Sequence, residues 1–194
     1  MIFNHNNKEI QIKIVYYGPA MSGKTTSIKY LFNHFNRGET LNSIENSVGR
    51  TLFFDFGVLR FKGAEWELKF LIYSATGQDF YASTRPATLR GVDGIIFVID
   101  SNVECKTRII NSWKELEIFF NDNLYNIPLL IAINKNDVNY VKKIEKKDLM
   151  PHINFEKFNH IYIKKTEAIT GKGILNSFNT IVNSIFPNIL ITNQ

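Results

Sequence analysis

Gly18-Pro19-Ala20-Met21-Ser22-Gly23-Lys24-Thr25 follows the alternating run Ile10-Gln11-Ile12-Lys13-Ile14-Val15-Tyr16-Tyr17 and precedes a helical pattern from Thr25 to Phe35. A loop of this spacing curls its backbone N–H groups around phosphate oxygens, and the helix behind it turns the positive end of its dipole to the same anion. Gly18 and Gly23 permit the close backbone approach. Lys24 brings a mobile cation to the outer phosphates, and the Thr25 hydroxyl is placed to ligate a Mg²⁺ ion that travels with them. The cradle is therefore read as Gly18, Ala20, Met21, Ser22, Gly23, Lys24, Thr25 and Thr26, and its ligand as a nucleoside triphosphate.

Working outward, apolar strand-like runs recur at Ile10 to Tyr17, Thr51 to Phe61, Trp66 to Tyr73, Gly94 to Asp100, Leu129 to Asn134 and His160 to Ile163. Helical patterns separate most of them. Ile109, Trp113, Leu116 and Phe120 form one stripe, and Leu175, Phe178, Ile181, Val182 and Ile185 form another, at the spacing of a helix face buried in a core. The runs Thr51 to Phe61 and Trp66 to Tyr73 are joined only by Lys62-Gly63-Ala64-Glu65, which predicts an antiparallel hairpin inside an otherwise alternating β/α order. The expected architecture is a three-layer α/β sandwich of the P-loop NTPase type: a mostly parallel sheet with one antiparallel hairpin strand and helices on both faces. Its ligand belongs beyond the carboxyl ends of the strands, where the phosphate loop falls.

The 194 residues suit one domain spanning 1–194. The net charge of +5 comes from dispersed basic residues apart from Lys142-Lys143 and Lys146-Lys147, which read as a solvated helix face, against a membrane or partner patch, and nucleic acid is not expected. Cys105 is the only cysteine, so an intrachain disulfide is excluded and a reducing cytoplasm is the expected compartment. The longest apolar runs, such as Ile127 to Ile133, are too short to span a bilayer, and Ile191-Thr192-Asn193-Gln194 carries no cysteine for a prenyl group. No membrane anchor is expected, and a monomer is.

Asn134-Lys135-Asn136-Asp137, directly after the buried run Leu129 to Ile133, points to guanine. A carboxylate opposite the base edge accepts both the N1 and N2 hydrogens of guanine, a donor pair that adenine lacks. Asp137 is the candidate for that role, Asn134 for a bridge to the phosphate loop, and the Lys135 stem for a cover over the base.

These residues resemble the small Ras-like GTPases across Ile10 to Phe186. Gly49-Arg50-Thr51-Leu52-Phe53-Phe54-Asp55-Phe56, Gly77-Gln78-Asp79-Phe80-Tyr81 and Leu89-Arg90-Gly91-Val92-Asp93-Gly94 narrow the likeness to the bacterial MglA type, whose members are cell-polarity and motility switches. The resemblance implies a GTPase that cycles between GTP and GDP with Mg²⁺, turns over slowly alone, and is stimulated by a roadblock-fold partner of the MglB type. Recruitment to a cell pole or the inner membrane face would then run through partners and effectors. It makes Thr51 the first-switch threonine that closes on Mg²⁺ and the γ-phosphate, with Gly77 as the γ-phosphate contact of the second switch. Gln78 becomes the residue that orients the attacking water, and Arg50 an arginine that stabilises transition-state charge from within the chain. For Arg50 the alternative is a solvated switch-loop cation, because Arg85 and Arg90 also lie near the second switch. Ala168, in Thr166-Glu167-Ala168-Ile169, matches the last guanine-contacting loop loosely and is expected to offer its N–H to guanine O6.

Two departures stand out. Ser74-Ala75-Thr76-Gly77 replaces the Asp-x-x-Gly motif whose aspartate bridges to magnesium, a loss the MglA type shares. Asp55, the only acid in the apolar run around it, is the candidate replacement, against a reading in which it simply faces solvent. Ala20 sits where glycine is common, and its methyl group is expected to crowd the γ-phosphate and slow hydrolysis. Against a hydrolysing switch stand a nucleotide-locked binding module, which retention of Gln78 disfavours, and a P-loop kinase or ATPase, which leaves Asn134 to Asp137 without a purpose.

Overall fold

The structure is a computed structural model that describes residues 1–35, 41–45, 51–63, 65–77, 83–140 and 142–187, without the side chains of 41–45 and 51–55. Among the described residues eight strands form one sheet: β1 (Ile2–Asn4), β2 (Glu9–Tyr17), β3 (Leu41–Glu45), β4 (Thr51–Lys62), β5 (Glu67–Ala75), β6 (Gly94–Asp100), β7 (Leu129–Asn134) and β8 (Ile161–Lys165). The helices are α1 (Lys24–His34), α2 (Arg85–Leu89), α3 (Lys106–Phe120), α4 (Lys146–Leu149) and α5 (Ile174–Ile185).

The strands run in the order β3-β4-β5-β2-β6-β7-β8, with β1 paired to β2 off this path. Pairs β2–β5, β2–β6, β6–β7 and β7–β8 are parallel, and β4–β5 is the expected antiparallel hairpin, closed by Gly63 N–H donating to Trp66 O at 2.9 Å. Two short edge pairings, β1–β2 and β3–β4, add antiparallel strands beyond the expected pattern. The order reverses at β2, whose neighbours β5 and β6 lie on opposite sides. Such a reversal opens a crevice beyond the carboxyl ends of the strands, and the segment after Tyr17 emerges into it.

Pleat alternation divides β2 between two cores. Ile12, Ile14 and Tyr16 pack with Ile28, Leu31 and Phe32 of α1 and with Phe178, Ile181 and Val182 of α5. Val15 and Tyr17 pack on the other face with Ile109, Trp113 and Leu116 of α3. The same alternation splits β6, with Ile96 and Val98 on the first face and Ile95, Phe97 and Ile99 on the second. Each fully buried aromatic or aliphatic side chain contributes about 1.5–3 kcal/mol of transfer free energy. Trp113, edge-on to Phe97 at 5.4 Å, and Phe178, edge-on to Phe70 at 5.4 Å, centre the two layers. Cys105 is buried beside α3.

Candidate functional site

The crevice at the ends of β2 and β6 is built on glycines at which a side chain has no room. Gly18 takes φ +134°, and a Cβ there would stand 2.2 Å from Val98 O of β6. Gly23 takes φ +101° as the residue preceding α1, and its Cβ would meet Asn134 Nδ2 at 2.1 Å. Met21 also adopts a left-handed φ of 64°, which tightens the loop between the two glycines. The first turn of α1 carries no acidic residue to oppose an anion there. Lys24, 7% exposed, folds its ammonium over the loop and donates to Gly18 O at 2.8 Å and Pro19 O at 2.7 Å. Ser22 Oγ is buried and has no partner among the described residues. Thr25 is half-buried and Thr26 is exposed at the start of α1.

Asn134, at the end of β7, joins three segments. Its Nδ2 donates to Ser22 O at 2.9 Å, while its Oδ1 accepts from Thr166 Oγ1 at 3.2 Å and from Ala168 N–H at 2.9 Å. The phosphate-type loop, the β7 terminus and the loop after β8 are thus held by one amide that is 1% exposed. Ala168 N–H, the group expected to face guanine O6, donates here to Asn134 Oδ1. Lys135 adopts φ 59° and pairs with Asp100 Oδ2 at 2.7 Å, while Ser101 Oγ holds the Lys135 carbonyl at 3.0 Å. Asp137 is exposed at the tip of the turn. The last loop closes on itself through Glu167 N–H to Lys172 O at 2.9 Å and Gly171 N–H to Glu167 O at 2.7 Å. The Tyr30 ring of α1 lies where a Cβ on Gly171 would be.

On the β5 side, Gly77 presses on the loop: a Cβ there would lie 2.4 Å from Ala20 N and 2.6 Å from Ala20 Cα. The register pairs Ser74 with Tyr16 of β2 and with Asp55 of β4. Ser74 Oγ is fully buried and lacks a partner among the described residues. Thr51 opens β4, opposite Glu45 of β3. Arg50 and Gln78 lie outside the described residues, as do the side chains of Thr51 and Asp55. Burial raises the phenol pKa of Tyr16, and that of Tyr17 through burial and the neighbouring Glu115 carboxylate, so both remain neutral under the loop.

Among the described residues no three His, Cys, Asp or Glu side chains cluster as a metal site. The donors gathered here are hydroxyls and loop amides, with two buried hydroxyls, Ser22 Oγ and Ser74 Oγ, lacking partners among the described residues. Such a set fits a hard cation shared with phosphate oxygens, which keeps waters and takes few protein ligands.

Two contributors escaped the sequence reading. Asp100 pairs in register with Asn134 across β6–β7 and fixes Lys135. Its signal was present, as a lone acid ending an apolar run. Arg85, read as one of several arginines near the second switch, is buried. Its acceptor Glu115 arrives thirty residues later, so no local pattern marks it.

The ADP-ribosylation factor family matches residues 1–185. The mutual gliding-motility protein MglA of Myxococcus xanthus is 34% identical over 190 residues, covering 94% of both chains. Ras-related protein Rab-5A of Dictyostelium discoideum is 28% identical over 88% of this chain and 79% of its own. The ADP-ribosylation factor-like protein alp41 of Schizosaccharomyces pombe is 25% identical over 92% of this chain and 88% of its own.

Proposed function

The chain belongs to the Arf/Ras-like small GTPases, and from that membership we propose that it is a single G domain, residues 1–194, that hydrolyses GTP to GDP and phosphate as a molecular switch. The observation that carries the reading is Asn134, whose amide holds Ser22 of the phosphate-type loop and Ala168 of the last loop at once. Guanine selection is assigned to Asp137, with the Lys135 stem over the base. An adenine-directed protein has no need of Asp137 beside that junction, and retention of Gln78 disfavours a binding-only protein.

Gly18, Ala20, Met21, Ser22, Gly23, Lys24, Thr25 and Thr26 form the phosphate cradle, and Lys24 shifts from its loop carbonyls to the outer phosphates. Thr25, Thr51 and Asp55 are the residues proposed to hold magnesium, and the Ser74 hydroxyl, set opposite Asp55 by the register, would support that site. Magnesium, when bound, neutralises charge that develops on the phosphate oxygens. Gln78 orients the attacking water, Arg50 stabilises the transition-state charge, and Gly77 reports the γ-phosphate through its backbone. Turnover without help is expected at about 10⁻⁴ to 10⁻² per second, with Ala20 crowding the γ-phosphate and a roadblock-fold partner accelerating it.

The likeness to the Myxococcus xanthus protein supports a role in motility or polarity through protein effectors. No helix among the described residues is long and apolar enough to cross a membrane. A cytoplasmic protein recruited through partners is proposed on the same likeness. The deciding experiment measures phosphate release from GTP and from ATP, with and without a roadblock-type partner. Slow GTP turnover accelerated by the partner supports the switch. GTP binding without turnover under either condition replaces it with a locked binding module, and a preference for ATP overturns both.

A further inference from the structure

Arg85 is the first residue of α2, a position normally open to solvent, yet it is 6% exposed. Its Nε donates to Thr76 O at 2.9 Å, and its Nη1 pairs with Glu115 Oε2 of α3 at 2.5 Å. A buried guanidinium is costly unless its donors are matched, and these two acceptors contribute to that matching. Thr76 is itself buried, and the next residue, Gly77, lies against the Ala20 backbone of the cradle. Chemical connection therefore runs from α3 through Glu115 and Arg85 to Thr76, and by one peptide unit to the residue that touches the phosphate-type loop.

We propose that Arg85 is a positioning residue of the second switch: one guanidinium staples Thr76 and α2, the two ends of segment 76–85, to each other and to α3. The proposal rests on the GTPase reading above. Arg85 acts through Thr76, whose neighbour Gly77 lies against the cradle. The two edges of the guanidinium serve a carbonyl and a carboxylate at once. A lysine ammonium retains the charge but not this planar fork. Contacts that engage only the γ-phosphate should therefore depend on Arg85, while those with the base and the inner phosphates should not.

The test compares wild type, Arg85→Lys and Glu115→Gln for GDP affinity, GTPγS affinity and single-turnover GTP hydrolysis. In Arg85→Lys, GDP affinity is expected within about twofold of wild type, while the GTPγS-to-GDP affinity ratio and the hydrolysis rate each fall about tenfold. Glu115→Gln should move the same readouts in the same direction by less. An unchanged ratio overturns the proposal, and so does an equal loss of GDP and GTPγS affinity, which marks a purely structural role. Should Arg85→Lys fail to fold, Glu115→Gln decides by the same criterion. Wild-type protein that binds neither nucleotide overturns the GTPase reading and this proposal together, whereas active wild type with indistinguishable variants overturns this proposal alone.

Discussion

Gly77 rests on the backbone of Ala20 with no space for a methyl group between them, since a Cβ would stand 2.4 Å from the Ala20 nitrogen. The obstructing atoms are backbone, so the contact cannot relax by a rotamer change. Gly77→Ala should push the β5 loop off the cradle at a cost of about 1–3 kcal/mol. GDP affinity should stay within about threefold of wild type while preference for GTPγS falls tenfold or more. Paired titrations with the two nucleotides check this, and equal weakening of both would show that Gly77 does not discriminate the γ-phosphate.

Asn134→Ala should damage stability and nucleotide binding together. Ser22 O, Thr166 Oγ1 and Ala168 N–H all lose their partner inside a site that is almost fully buried. Leaving such groups unsatisfied costs about 3 kcal/mol in sum, a drop of roughly 6–12 °C in Tm for a chain of this size. Calorimetry without nucleotide separates this loss from the loss of ligand, and a Tm shift under 2 °C by this measure would contradict the three-way junction.

Asp55→Asn tests the proposed magnesium ligand. Backbone register sets Asp55 opposite Ser74, whose buried hydroxyl lacks a partner among the described residues. The Mg²⁺ concentration for half-maximal GTP binding should rise about tenfold or more in the variant. An unchanged Mg²⁺ titration would return Asp55 to a role on the strand surface.

Arg50→Ala should leave GTP affinity nearly intact while lowering partner-stimulated hydrolysis by about 10³-fold or more. Stopped-flow phosphate release with the activating partner makes the measurement, and unchanged stimulated turnover removes Arg50 from the chemistry.

A pH dependence is expected at the last loop. Hydrogen bonding from Lys172 holds the Glu167 carboxyl below its ordinary range. A carboxyl with a depressed folded-state pKa contributes stability above its unfolded value of about 4.3, and that contribution is lost as the pH falls through the folded value. Wild type should therefore melt above Glu167→Gln at pH 7 by a small margin that closes below about pH 4. A margin independent of pH would mean that the charge on Glu167 does not hold the loop.

Most of the sheet was legible because its signals are local. β2, β6 and β7 announce themselves as apolar runs ended by polar turns, and the spacing in 18–25 carries its own chemistry. The edge strands were not legible. Leu41–Glu45 has little apolar content, and Ile2–Asn4 is only three residues long, so each is a strand by virtue of the neighbour it pairs with. The roles of Asn134 and Asp100 could be anticipated from their place at strand ends, whereas the burial of Arg85 could not. Its environment is created by Glu115 from a different helix, and charge patterning along the chain treats both as surface residues.

The division of β2 between two cores has an unexpected genetic corollary. Tyr16 and Tyr17 are adjacent in the chain, yet one is seated among α1 and α5 residues and the other among α3 residues. Together they act as a yoke, so the loop that follows inherits its height and tilt from both layers at once. Lesions that impair nucleotide binding should then map to two spatially separate neighbourhoods, one around Phe178 and one around Trp113. Defects from opposite layers should compound, because each frees a different degree of freedom of the same loop.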